Sequence, residues 1–429
     1  MTEAANPALR KSSFINPGFL IATVLVVALF FFWGMSNSLN DVLIPQFRKT
    51  FLLNDFTSSL VQFATFIGYF VFAIPASLFM RRFGYRAAVV MGLALFGSGA
   101  LLFYPAAQLG EYHWFLGALF VIASGLSFLE TSANPMIAVM GAPETADQRL
   151  NFAQAFNPLG TIVGVFLGKE LILSEQHSTA TQIAALDPAA LASWRHGELA
   201  AVKLPYLGIA AVVLLWAVLV AIAKFPPLDE KRTDGSVAAS GGFRGLNKFP
   251  RYWFGVLAQF AYVGAQVCVW SFLIRYTMFN FPEIAEKAAA NFLLWTLVLF
   301  FAGRSIGTLL MSYVRPAMLL AAFAAINVAL CLVAMSGGKP GHYAVIATSF
   351  FMSIQFPTIF TMSLRGLGEY TKSGASFLVM AIVGGAIFPM IMGGVSVASS
   401  INIAFIVPAF CFAVVFAFAW VSRRGLNRA

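Results

Sequence analysis

Apolar runs of about 20 residues or more recur along almost the whole of this chain, and polar residues only punctuate them. A run of that length, wound as a helix, matches the thickness of a bilayer's hydrocarbon core. Twelve such runs can be placed, at 18–45, 57–80, 86–107, 114–141, 150–173 and 204–225, then at 251–277, 289–313, 316–335, 342–364, 374–397 and 401–422. Lipid offers the backbone no hydrogen bonds, so each run must satisfy its own peptide groups. The predicted fold class is therefore all-α, with twelve transmembrane helices. Of the 429 residues, 60% are apolar and 10% charged. Soluble domains carry about 25% charged residues, which excludes a single water-soluble core. The first run begins near Pro17, behind Arg10 and Lys11. It is too long for the core of a signal peptide and reads as an uncleaved first span.

The runs divide six and six. Between the sixth and seventh, residues 226–250 include LDEKRTDGSVAASGG, a polar, charged and Gly/Ser-rich stretch that reads as an aqueous linker. The organisation expected is a tail at 1–17, a six-helix half at 18–225, the linker, a second half at 251–422 and a tail at 423–429. The segment 174–203 is a second polar excursion, with a short helix expected around DPAALASW. With both termini placed in the cytoplasm, that side holds 18 Lys and Arg against 8 opposite, and Arg304 lies within a span. Basic residues favour the cytoplasmic side, so both tails and the linker are assigned there. The net charge of +10 is scattered singly and forms no patch for nucleic acid. Cys268, Cys331 and Cys411 lie inside apolar runs without metal-ligand spacing, so no metal site is expected.

The halves echo each other. FLETSANPMIAVMG in span four aligns with FFMSIQFPTIFTMS in span ten, placing Pro135 opposite Pro357. Span five carries Gly160, Gly164 and Gly168 at four-residue steps, and span eleven carries Gly384, Gly385, Gly393 and Gly394. Such glycines let helices approach closely. Related halves with a site between them near the midplane are a transporter's arrangement.

Charge inside the membrane is costly and marks function. Of 17 acidic residues, Asp41 and Glu130 fall well inside spans. A carboxylate held there can load and release a proton. Glu130 could instead neutralise a buried Arg or Lys, and Asp41, close to Pro45, could cap a helix break. Around them stand Asn37, Ser38 and Asn40 in span one, Asn134 one turn after Glu130, and Gln154 and Asn157 in span five. Amides both donate and accept, which suits sugar hydroxyls; the alternative is hydrogen bonding between helices. In the second half Gln259, Tyr262, Gln266 and Trp270 share one face of span seven, where Trp295, Gln355 and Phe356 could join them. Arg304 could pair with an acid, bind substrate or reach backbone carbonyls. No GxxxxGK[ST] loop is present, which excludes an ATP-driven pump of that type. No nucleophile–base arrangement stands out, so no enzyme is expected.

NDVLIPQF, LETSANP, FAQAFN, AQFAYVGAQ, WSFLIRY, FMSIQFPTIF and GASFLVMAIVGG carry a resemblance that covers about residues 25–418. With them, the chain resembles the L-fucose–proton symporters, in the fucose–galactose–glucose branch of the major facilitator superfamily. The resemblance implies two pseudo-symmetric six-helix halves, a central sugar cavity and alternating access. It puts the family's two essential carboxylates on Asp41 and Glu130, and its span-five amides on Gln154 and Asn157. It implies a monosaccharide as cargo, the proton as coupling ion with no other cofactor, and a monomer in the bacterial inner membrane. Ser38 stands where the pattern has Asn, and Phe356 where it has Tyr, which leaves the particular sugar open. In MRRFGYR, Arg81 stands where the superfamily's loop motif has Asp, which leaves that motif's interdomain contact open. A sodium-coupled or uncoupled glucose or galactose carrier remains an alternative. So does a sugar sensor on a transporter scaffold, which the shortness of the tails and linker disfavours.

Overall fold

A computed structural model of the chain describes residues 14–16, 18–53, 55–172, 186–223, 225, 242–284 and 286–425. A few side chains within helices, those of Asn40, Asp41 and Pro45 among them, also lie outside the description. So do most of the linker and much of the 174–203 excursion. The described residues are helical and contain no strand. In the first half the helices are α1 (Leu20–Thr50), α2 (Asp55–Leu101), α3 (Phe103–Leu109), α4 (Tyr112–Val139), α5 (Ala146–Gln154), α6 (Phe156–Leu171) and α7 (Pro188–Ile222). In the second they are α8 (Pro250–Asn280), α9 (Glu286–Leu310), α10 (Pro316–Ala334), α11 (Gly338–Met352), α12 (Gln355–Leu364), α13 (Thr371–Met380), α14 (Gly384–Ala398) and α15 (Ile406–Gly425).

Eleven helical stretches among the described residues are long and apolar enough to cross a membrane, and one of them, Leu60–Leu109, has 50 residues. That is the length of two spans. It holds spans two and three, which meet at a non-helical kink within MRRFGYR. Gly84 makes the bend, at φ 83° and ψ 172°, a conformation that costs a side-chain-bearing residue dearly. The short helix expected near DPAALASW is instead the start of α7. Asp187 caps it, accepting from the Ala189 and Ala190 amides at 3.0 and 2.8 Å.

Spans five and ten are each broken. Span five divides at Ala155 into α5 and α6, and span ten divides at Ser353–Ile354 into α11 and α12. A proline follows each break, Pro158 and Pro357. Proline cannot donate to the carbonyl four residues back, so the carbonyls of Gln154 and Ser353 lose their usual helical partner.

Each half has its own apolar core. The first core continues into the second half through Tyr252, Phe360, Leu364, Leu367 and Leu378. These residues flank the linker and the loop after α12, so the halves press together at the linker end. Within the first half, α6 lies tightly on α1. A Cβ on Gly160 would collide with the Phe31 carbonyl oxygen, and one on Gly34 with the Asn157 carbonyl oxygen. The span-five glycines therefore serve close helix packing.

Candidate functional site

Glu130 sits in the middle of α4, 4% exposed. No ion pair joins it to a basic residue among the described residues. Asn134 stands one turn on and faces it, although the Asn134 Nδ2 closes on no acceptor. The other end of that amide is held, since Gln154 Nε2 donates to Asn134 Oδ1 at 3.1 Å. On the opposite flank, Tyr69 of α2 lies within electrostatic reach of Glu130. Trp33 Nε1 of α1 donates to the Tyr69 hydroxyl at 2.7 Å. Four helices thus converge on one carboxylate through Trp33, Tyr69, Asn134 and Gln154.

The second half meets this cluster with rings and one cation. The Tyr262 hydroxyl donates to the Met352 carbonyl at 2.9 Å, and Trp270 Nε1 to Ser349 Oγ at 3.2 Å. Both bonds turn the Tyr262–Trp270 face of α8 toward α11. Phe356 packs edge-on against Tyr262 with centroids 6.3 Å apart, and Trp270 edge-on against Phe300 at 5.2 Å. Arg304 lies 4.5 Å over the Phe300 ring and within electrostatic reach of Tyr262. Phe356, Gln266 and Trp270 are half-buried. Gln259 is fully buried, with neither end of its amide bonded. Thr131 Oγ1, beside Glu130, and Gln355 Oε1 are also buried without a partner. Buried polar groups are normally satisfied, so the centre of the molecule has hydrogen-bonding capacity left for water or a polyhydroxylated ligand.

Several expected residues stand elsewhere. The Ser38 hydroxyl is turned back on its own helix, donating to the carbonyls of Gly34 and Met35 at 3.1 Å each, and it packs on Gly164. A serine inside a helix finds those carbonyls within reach, so it contributes nothing to the cluster. Trp295 is 62% exposed on the outer surface of α9 and does not join the aromatic wall. Asn37 is exposed, and Asn157 is half-buried one turn beyond Gln154. The Asp41 and Asn40 side chains fall outside the described residues.

Two residues with charge went unread in the sequence. Asp147 is fully buried at the linker end, where Arg365 and the Thr361 hydroxyl of the other half both donate to it. By sequence it looks like an ordinary loop acid, 218 residues from its partner. Glu198 is buried at the opposite end, accepting from Gln46 Nε2 at 2.8 Å and pairing with Lys49 at 3.4 Å. Further hydrogen bonds cross between the halves near the linker end. Ser77 Oγ donates to the Lys372 carbonyl at 2.7 Å, Gln148 Nε2 to Ser312 Oγ at 2.6 Å, and Asn151 Nδ2 to Thr358 Oγ1 at 3.1 Å.

A helical bundle in two halves, sealed at one end around a buried acid and a set of unpaired amides, has the geometry of a secondary carrier. The sequence model of the Major Facilitator Superfamily matches residues 24–382. The chain belongs to that superfamily. It is 44% identical over 419 residues to the L-fucose-proton symporter of Escherichia coli (strain K12), covering 96% of this chain and 95% of that one. It is 38% identical over 414 residues to a glucose/galactose transporter of Brucella abortus, covering 95% and 94%. Among solved structures, a Major Facilitator Superfamily transporter, FucP, in the outward conformation superposes with a TM-score of 0.86 at 43% identity, covering 94% of this chain and 99% of that one. The proton:xylose symporter shares the fold alone, with a TM-score of 0.69 at 14% identity. This member of the superfamily is thus a membrane transporter, not an enzyme.

Proposed function

We infer that the chain carries L-fucose, or a monosaccharide of closely similar ring stereochemistry, together with a proton by alternating access. The observation that carries this reading is Glu130, a buried carboxylate with no basic residue bonded to it among the described residues. An ionised carboxylate there is costly without a paired cation, which supports a cation binding to it and travelling with the cargo. The similarity to proton symporters favours the proton. The unpaired amides of Asn134 and Gln259 suit sugar hydroxyls, and the half-buried rings of Trp270 and Phe356 suit the apolar face of a pyranose. Asp41 is assigned as the second proton-carrying acid, nearer the outer end of its span. Asn37, Gln154, Asn157, Tyr262 and Gln266 complete the proposed substrate site.

The excess of basic residues on that side supports a cytoplasmic linker end, in a carrier that works as a monomer in the bacterial inner membrane. Sugar-induced alkalinisation of a lightly buffered suspension of energy-depleted cells tests the core of the reading. Fucose should raise the external pH as protons enter with it; no change on fucose addition, in cells shown to take it up, would refute proton symport. A second reading, carriage of glucose or galactose, is favoured by the similarity to the Brucella abortus transporter and by the missing hydroxyl at Phe356. Competition by a panel of unlabelled sugars separates the two.

A further inference from the structure

Arg304 is buried within a span, 3% exposed, and no carboxylate pairs with it among the described residues. Its guanidinium instead takes two backbone carbonyls. Arg304 Nε donates to the Ser353 carbonyl at 2.7 Å, and Arg304 Nη1 to the Gln154 carbonyl at 2.8 Å. These are the two carbonyls stranded by Pro357 and Pro158. One belongs to the second half, as Arg304 does, and the other to the first. A single fork therefore fastens together the proline breaks of spans ten and five across the boundary between the halves.

The Gln154 bond lies beside the acid. The Gln154 side chain holds Asn134, and Asn134 faces Glu130. From the buried acid to the other half the residues follow in order: Glu130 faces Asn134, Asn134 accepts from the Gln154 side chain, and the Gln154 carbonyl accepts from Arg304. When the halves part at the linker end, the Ser353 bond can ride with its own half, whereas the Gln154 bond spans the boundary and must break. Its stranded carbonyl then has no helical donor to fall back on, because Pro158 has none.

We propose that Arg304 is a positioning residue, a midplane latch that holds the linker end shut by bonding the Gln154 carbonyl. The prolines make the latch possible, since a carbonyl already satisfied by its own helix would have little to offer a guanidinium. Because Gln154 also orders Asn134, the latch ties closure of the linker end to the arrangement around Glu130. This deepens the alternating-access reading above and rests on it.

The test follows exposure of the linker-end seam without sugar and without a gradient, so its result is separate from the identity of the cargo or the coupling ion. Ser77 is fully buried and bonded across the seam to Lys372. In a Ser77→Cys background, purified protein in nanodiscs is treated with a hydrophilic maleimide. Native Cys268, Cys331 and Cys411 are fully buried and should not react. Arg304→Gln should raise labelling at position 77 by about tenfold, the effect of one charge-assisted hydrogen bond. Arg304→Lys, which keeps the charge without the fork, should raise it less. Pro158→Ala offers the Gln154 carbonyl a donor from its own helix. It should raise labelling when Arg304 is present and add nothing when Arg304 is already Gln. If Arg304→Gln exposes the native cysteines, its fold has failed, and Arg304→Lys with Pro158→Ala decides the matter alone. Unchanged labelling in both of these, or an equal effect of Pro158→Ala with and without Arg304, overturns the proposal.

Discussion

The two halves of the central site are built from different materials. The first half supplies an acid and amides, joined side chain to side chain through Asn134 and Gln154. The second supplies rings, and a cation whose described hydrogen bonds go to backbone carbonyls. The acid and the cation are not paired with each other. A direct ion pair would hold Glu130 charged and remove it from proton traffic. Keeping Arg304 on carbonyls leaves the acid free to change its charge while the cation holds structure. On the proposed reading the halves divide the labour, with the proton-carrying acids and most of the amides in the first and the rings and the cation that holds closure in the second.

The largest expected effect comes from removing the acid. Glu130→Gln keeps the shape and a hydrogen-bonding amide but cannot release a proton. Accumulation driven by a pH gradient should vanish while sugar counterflow persists, and comparing the two rates in vesicles checks it. Normal accumulation would mean that Glu130 is not the proton carrier.

Next comes the seal. Arg365 is part-exposed, so its pairing with Asp147 is discounted by solvent. Asp147→Asn should still loosen closure, raising labelling of the Ser77→Cys thiol by roughly tenfold. An unchanged labelling rate would shift the whole burden of closure to the apolar seam and Arg304.

A smaller contrast concerns helix packing. Gly160→Val puts bulk against the Phe31 backbone, and overpacking of this kind costs about 1–3 kcal/mol. Gly394, in the second half, has no atom near its missing Cβ. Thermal unfolding in detergent should show a clear loss for Gly160→Val and none for Gly394→Ala. Equal losses would erase the distinction between these two glycine series.

The smallest effect is expected at the aromatic wall. Phe356→Tyr adds one hydroxyl, which should tighten fucose binding by up to roughly tenfold if it meets a sugar oxygen. Competition against labelled fucose reads this out. Weaker binding would show that the wall acts through shape alone.

Much of this was legible in the sequence, and the parts that were not share a cause. Span count, the deep position of Glu130 and its neighbour Asn134 follow from run length and helical spacing, which are local properties. Gln154 was legible as an amide in span five, but its bond to Asn134 was not. The linker-end pair of Asp147 and Arg365 depends on contact across 218 residues, and Asp147 alone looks like a solvated loop residue. Ser38 misled because a serine's residue type does not tell which way its hydroxyl turns. Its hydroxyl is spent on its own helix. Trp295 misled similarly, since apolar helices show no polar face to say which side meets lipid. Arg304 left three options open by sequence. The choice between them lay in Pro158 and Pro357, whose stranded carbonyls are readable only once the two broken helices are seen side by side.

On the proposed mechanism a proton binding at Glu130 drives the sugar. Purified protein in proteoliposomes, with a pH gradient and a sodium gradient imposed in separate experiments, tests it most directly. Labelled fucose should accumulate above equilibrium under the inward proton gradient alone, and Glu130→Gln should abolish this accumulation. Accumulation driven by sodium at uniform pH, or by protons in the Glu130→Gln variant, would contradict it.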